Sequence, residues 1–98
     1  MKNTAFLLIN TSLPKWETSY ELNARRISDL LREVSAVRSC CVVVGSYQII
    51  AEIETDGPNQ AERFVSDNIT VIPDVERCTI CQVTSKVNEK RTGELVLS

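Results

Sequence analysis

The stretch Val42-Val43-Val44-Gly45-Ser46-Tyr47-Gln48-Ile49-Ile50-Ala51 constrains the fold more than any other part of the chain. A β-branched run, a turn containing glycine and a second apolar run read as a β-hairpin, with its turn at Gly45–Gln48. The first arm, Arg38 to Val44, is almost continuously apolar from Cys40 onward, which predicts a strand covered on both faces. The second arm alternates. Ile49, Ala51 and Ile53 share one face while Ile50, Glu52 and Glu54 share the other, so this strand is expected to be half exposed or to face a partner.

The rest of the chain falls into place around the hairpin. Thr4 to Asn10 predicts a first strand, with Ala5, Leu7 and Ile9 on one face and Phe6 and Leu8 on the other; Thr11-Ser12-Leu13-Pro14 ends it. A helix over about 16–34 follows, because Trp16, Tyr20, Ala24, Ile27, Leu30, Leu31 and Val34 keep the three-to-four spacing of one buried stripe. Thr18-Ser19-Tyr20-Glu21 matches a capping box, Pro14 offers a start one turn earlier, and Glu21 and Arg25 form an i,i+4 pair on the outer face. After the hairpin, Thr55-Asp56-Gly57-Pro58 supplies a turn, a candidate acidic cap and a proline suited to the first turn of a second helix. Ala61, Phe64, Val65 and either Asn68 or Ile69 make its inner face, and Pro73 marks its end or the loop beyond. A last strand is expected over about 77–87, then a polar loop at 88–93, with 94–97 as a short edge strand or loose chain.

The order strand, helix, strand, strand, helix, strand predicts an α+β fold of the ferredoxin-like type, a four-stranded antiparallel sheet with both helices on one face. The 98 residues make one domain, 1–98, with its core over about 4–87 and a tail from 88. A domain this small buries only roughly 60–65% of its unfolded surface and gains from self-association. The uncovered sheet face, with Phe6, Leu8, Ile50 and one side of the 40–44 strand, is expected to pair with a second copy through the sheet.

Composition removes several function classes. Histidine is absent, which takes away the usual general base, the usual metal ligand and every Ser-His or Cys-His pairing. The net charge of −2 argues against a direct grip on nucleic acid. The apolar run Ala5–Ile9 is far too short for a signal-peptide core or a membrane span, so the protein is expected in the cytoplasm. Cys78-Thr79-Ile80-Cys81 has the spacing of a redox pair or half a zinc site, but on a strand residues three apart face opposite ways, and Cys40 and Cys41 alternate likewise. The four cysteines are read as small buried core residues, with redox sensitivity and metal binding as rivals. No metal and no cofactor is expected. Glu52, Glu54, Asp56 and Glu62 read as a solvated strand edge and helix cap rather than paired acids, and Arg25, Arg26 and Arg32 as a wet helix face. Gly45-Ser46-Tyr47-Gln48 is open to two readings: Gly45 only closes the hairpin, or the exposed amides of the turn hold a carboxylate.

The residues Val34–Val37, Cys41–Ala51, Ala61–Val65 and Ile72-Pro73-Asp74-Val75-Glu76-Arg77-Cys78-Thr79 together resemble the effector-binding (RAM) domain of the Lrp/AsnC family of transcriptional regulators. That family shows a hydrophobic strand, a Gly-x-Tyr-Asp turn, an alternating strand, and a helix ending in an Ile-Pro-Gly-Val phrase before the last strand. Two departures stand out. Gln48 replaces the usual Asp, so an amide stands where a carboxylate would meet an amino group, and Asp74 replaces the usual Gly. The resemblance implies a non-enzymatic sensor that dimerises through its sheets, assembles further into rings of dimers, and binds a small effector, usually an amino acid, between dimers. It places Gly45, Ser46, Tyr47 and Gln48 at the ligand, with Thr79 on the last strand as a further contact. The sheet pattern begins at Thr4 with no helix-turn-helix before it, so the chain is expected to be a stand-alone effector domain working with a full-length regulator. Two rivals from other classes remain: a small dimeric α+β-barrel enzyme, and a structural homo-oligomer or adaptor without a ligand.

Overall fold

The structure is a computed structural model and describes residues 2–13, 19–57 and 59–84. The elements run β1 (Asn3–Thr11), α1 (Tyr20–Leu31), β2 (Val37–Val42), β3 (Ile49–Thr55), α2 (Gln60–Asn68) and β4 (Val75–Gln82). The strands form one antiparallel sheet in the order β2-β3-β1-β4, the expected βαββαβ ferredoxin-like arrangement. Among the described residues, no helix is long and apolar enough to cross a membrane.

Strand alternation builds the core. Ala5, Leu7 and Ile9 of β1 and Ile49, Ala51 and Ile53 of β3 are buried on the inner face, beneath Ala24, Ile27 and Leu31 of α1 and Ala61, Phe64 and Val65 of α2. Each fully buried Leu or Ile stabilises the fold by about 1.5–3 kcal/mol through removal of its apolar surface from water. Both ladders of β1 are continuous through its centre, with Leu7 opposite Ala51 on one side and Ile80 on the other. The opposite face carries rows that run across the strands: Cys41, Ile50, Leu8 and Thr79 in one, and Ser39, Glu52, Phe6 and Cys81 in the next. Phe6 is 37% exposed, and neither helix covers this face.

Several boundaries differ from those read in the sequence. The strand expected to be covered on both faces is β2, at the edge of the sheet. Only Val37, Cys40 and Val42 lean on the core, while Arg38, Ser39 and Cys41 are exposed. Its apolar run reflects one face against α1 and another that neither helix covers. The hairpin is also looser than a short glycine turn, because residues 43–48 all lie between the strands, closed by Val43 N donating to Gln48 O at 2.9 Å. Helix α1 is shorter than 16–34. Trp16 lies outside the described residues, and the buried stripe narrows to Asn23, Ala24, Ile27, Ser28 and Leu31. Tyr20 and Leu30, expected on that stripe, are exposed. The cap is Ser19, whose hydroxyl accepts from Leu22 N at 3.3 Å, one residue after the expected Thr18.

Asp56 does not cap α2; it pairs with Lys2 at 3.0 Å, and Asn59 holds the cap position without a side-chain bond. Of the two inner-face candidates at the end of α2, Ile69 is fully buried and Asn68 is not. Pro58 and the segment 94–97 lie outside the described residues. Strand β4 begins at Val75 rather than Arg77 because Asp74, at φ +76°, turns the chain sharply into it. That left-handed position suits Gly or, among other residues, Asp and Asn. Here Arg26 pairs with the Asp74 carboxylate at 3.0 Å, which offsets the backbone strain.

Candidate functional site

The loop 43–48 is anchored at several points to the end of β1. Gln48 N donates to Ile9 O at 3.0 Å, and Thr11 N donates to the Gln48 side-chain oxygen at 2.8 Å. Asn10 Nδ2 donates to Ser46 O at 2.7 Å. Gly45 sits at φ +144°, and a Cβ there would meet nothing within 4 Å, so only backbone strain opposes a substitution. Such strain costs about 1–3 kcal/mol in a non-glycine residue. Behind the loop, Ser12 N donates to Asp74 O at 2.7 Å, Asn23 Nδ2 donates to Ser12 O at 2.7 Å, and Arg26 donates to Asn23 Oδ1 at 2.6 Å. The end of β1, the turn before β4 and helix α1 are therefore tied into one polar network.

Two clefts open on either side of this loop. One, of about 330 Å³, lies between the loop and the start of α1, lined by Tyr20, Ala24, Val42, Val44, Gly45 and Gln48 among others. The other, of about 600 Å³, is lined by Asn10, Ser46, Tyr47, Glu76 and Arg77. The sequence-derived residues are thus divided: Gly45 and Gln48 border the first cleft, Ser46 and Tyr47 the second. Thr79 borders neither, standing opposite Leu8 on the uncovered sheet face, two residues along β4 from Arg77. Asn10, Glu76 and Arg77 were not read from the sequence as site residues; only pairing between β1 and β4 brings them to the loop.

Gln48 has a structural role that its amide suits. Its side-chain oxygen satisfies the Thr11 amide, at a strand end where that donor has no ladder partner in β3. Replacing Gln48 with Ala is expected to lower stability by about 1–3 kcal/mol, the penalty of leaving a partly buried donor without an acceptor. Urea denaturation checks this, and an unchanged midpoint would show that water replaces the amide without loss.

The remaining clusters are quieter. A cleft of about 440 Å³ at the opposite end of the sheet is rich in charge, but its cations are paired. Lys2 meets Asp56 at 3.0 Å, Arg63 meets Asp67 at 3.9 Å, and the Arg38 guanidinium meets Glu54. Arg25 pairs with Glu21 at 2.7 Å as expected, and Arg32 with Asp29 at 3.5 Å.

The cysteines divide by face instead of being uniformly buried. Cys40 and Cys78 pack against the core, whereas Cys41 and Cys81 are exposed on the uncovered face, as strand alternation requires. The two cysteine pairs do not adjoin, since β2 and β4 are opposite edges of the sheet. Burial pushes the Cys78 thiol up to about 11, and burial also raises Cys40, partly offset by the hydroxyl that Ser28 donates to its sulfur at 2.8 Å. Both inner thiols stay protonated near neutral pH, which makes them poor nucleophiles.

A profile of the Lrp/AsnC ligand binding domain matches residues 4–92. The chain belongs to that family. No curated protein sequence matches this Lrp/AsnC domain. Among solved structures, TTHA0845 from Thermus thermophilus is similar with a TM-score of 0.73 at 19% identity, over 88% of this chain and 98% of that one. The hypothetical protein PHS023 from Pyrococcus horikoshii has a TM-score of 0.69 at 24% identity, over 88% of this chain and 93% of its own. The transcriptional regulator NMB0573 from Neisseria meningitidis, solved as an L-Met complex, has a TM-score of 0.72 at 18% identity over 88% of this chain. The Lrp/AsnC domain spans nearly the whole of the first two proteins and 52% of the regulator.

Proposed function

We propose that this Lrp/AsnC domain is a cytoplasmic, non-enzymatic sensor that binds an amino acid at the 43–48 end of its sheet. It self-associates through the uncovered sheet face and acts on transcription together with a full-length regulator. The observation that carries the reading is the loop itself. A positive-φ glycine and several hydrogen bonds to β1 hold it open beside a polar cleft instead of closing it as a minimal hairpin turn. Polar groups converging on a cleft in this way suit a small polar ligand. Family membership supports effector binding, and the L-Met complex of NMB0573 supports an amino acid as its class. The absence of histidine supports a binding role over catalysis.

Thermal denaturation of the purified chain against each of the twenty amino acids tests the reading. A ligand present at about a hundred times its dissociation constant adds about 2.7 kcal/mol, a rise of roughly 10 °C or more in a domain of this size. A selective rise with one or a few amino acids is expected. A flat panel would contradict the amino-acid assignment and favour a structural oligomer.

A further inference from the structure

We propose that Glu76 and Arg77 form a split charge pair that takes the two ends of a zwitterion, Arg77 its carboxylate and Glu76 its ammonium group. This inference rests on the sensing reading above and names the residues that perform it. Consecutive residues on a regular strand face opposite ways, yet Glu76 and Arg77 both line the cleft beside Ser46 and Tyr47. The cause is a β-bulge. Asn10 pairs with Arg77 and Thr11 with Val75, so Glu76 is the extra residue in β4 at the register shift. A bulge re-aims side chains in this way at the end of a strand.

Neither of these two charges is engaged by a charged group among the described residues. Among the described residues, Lys2, Arg25, Arg26, Arg32, Arg38 and Arg63 each lie within ion-pair distance of a carboxylate. Arg77 is the described cation with no such partner, and Glu76 forms no ion pair either. Adjacent opposite charges that do not neutralise each other, at the mouth of a cleft also holding the Asn10 amide and the Tyr47 ring, suit a ligand carrying both signs. A guanidinium presents a planar fork of donors that fits a carboxylate. The Gln48 oxygen is engaged by Thr11 N, so the negative charge an ammonium group requires comes from Glu76.

Calorimetric titration of the whole chain, beside Glu76→Gln and Arg77→Gln, tests this with the twenty L-amino acids, their amides and their N-acetyl forms as probes. Both substitutions lie at exposed positions, and unliganded melting curves report whether each variant folds. The native chain is expected to bind at least one amino acid, and to bind its amide and its N-acetyl form about tenfold or more weakly. R77Q is expected to lose a similar factor for the parent amino acid and to stop distinguishing it from the amide. E76Q is expected to stop distinguishing the parent from the N-acetyl form. If the native chain binds an amino acid and both variants match its affinity and discrimination, the charge assignment fails while the sensing reading stands. If the native chain binds none of the twenty, both fail. If R77Q changes the sedimentation coefficient but not the affinity, Arg77 belongs to an interface and the assignment is overturned.

Discussion

Replacing Leu7 with alanine is expected to destabilise the domain by about 2–5 kcal/mol, the range for deleting a fully buried leucine and leaving a cavity. Leu7 has no exposed surface and sits at the middle of the central strand β1, between Ala51 of β3 and Ile80 of β4. Both flanking strands are fixed by their own ladders, so neither can move in to fill the void. Ala51 is itself small and gives no compensating bulk. Since small domains hold only about 5–15 kcal/mol in total, the variant should melt at least about 10 °C lower than the parent. Chemical denaturation followed by circular dichroism measures the difference directly. A loss below about 1 kcal/mol would mean that the helices repack over the sheet more freely than the buried core of β1 and β3 implies.

The neighbouring substitution separates folding from assembly. Leu8 stands on the other side of β1, in the row with Cys41, Ile50 and Thr79 on the face that neither helix covers. Leu8→Asp is expected to change the stability of the isolated domain by no more than about 1 kcal/mol. If two copies pack these faces together, the same change buries a carboxylate between apolar residues without a partner. A penalty of about 3–5 kcal/mol of this kind weakens association by more than a hundredfold. Sedimentation velocity at tens of micromolar should then show a dimer or larger species for the parent chain and a monomer for Leu8→Asp. Equal masses for the two would show that the uncovered face is not where copies meet.

The contrast between Leu7 and Leu8 also shows which parts of the fold were legible in the sequence. Period-two alternation in β1 and β3 assigned inner and outer faces correctly, because a strand with one buried face leaves an unambiguous pattern. The apolar run of β2 misled for the same physical reason. Apolar residues on both faces state that water is to be avoided, but not whether this chain or another copy excludes it. The helical spacing overextends the end of α1, because Val34 continues a periodicity that carries no information about where the backbone leaves the helix. Ser19 marks the start only through the bond that its hydroxyl accepts from Leu22 N.

At the site, the residues of the 45–48 turn could be singled out from glycine and from family resemblance, but their division between two clefts could not. That division depends on the bonds that Thr11 N donates to the Gln48 side-chain oxygen and Asn10 Nδ2 donates to Ser46 O, between positions more than thirty residues apart. The bulge at Glu76 is a property of the β1–β4 register and has no local signature. Frequent burial of free cysteine is a property of the residue type, whereas exposure of Cys41 and Cys81 follows from which face their strand positions occupy.

Ligand-observed saturation-transfer NMR on the native chain and on Gly45→Val, in an equimolar mixture of the twenty amino acids, tests the sensing role most directly. The native chain is expected to transfer saturation to one amino acid or a chemically related few. Gly45→Val should lose that transfer while keeping its folded spectrum, because a β-branched residue is strained at φ +144° and the loop must move to relieve it. No transfer to any amino acid, or equal transfer in both proteins, would contradict a binding site built on the 43–48 loop.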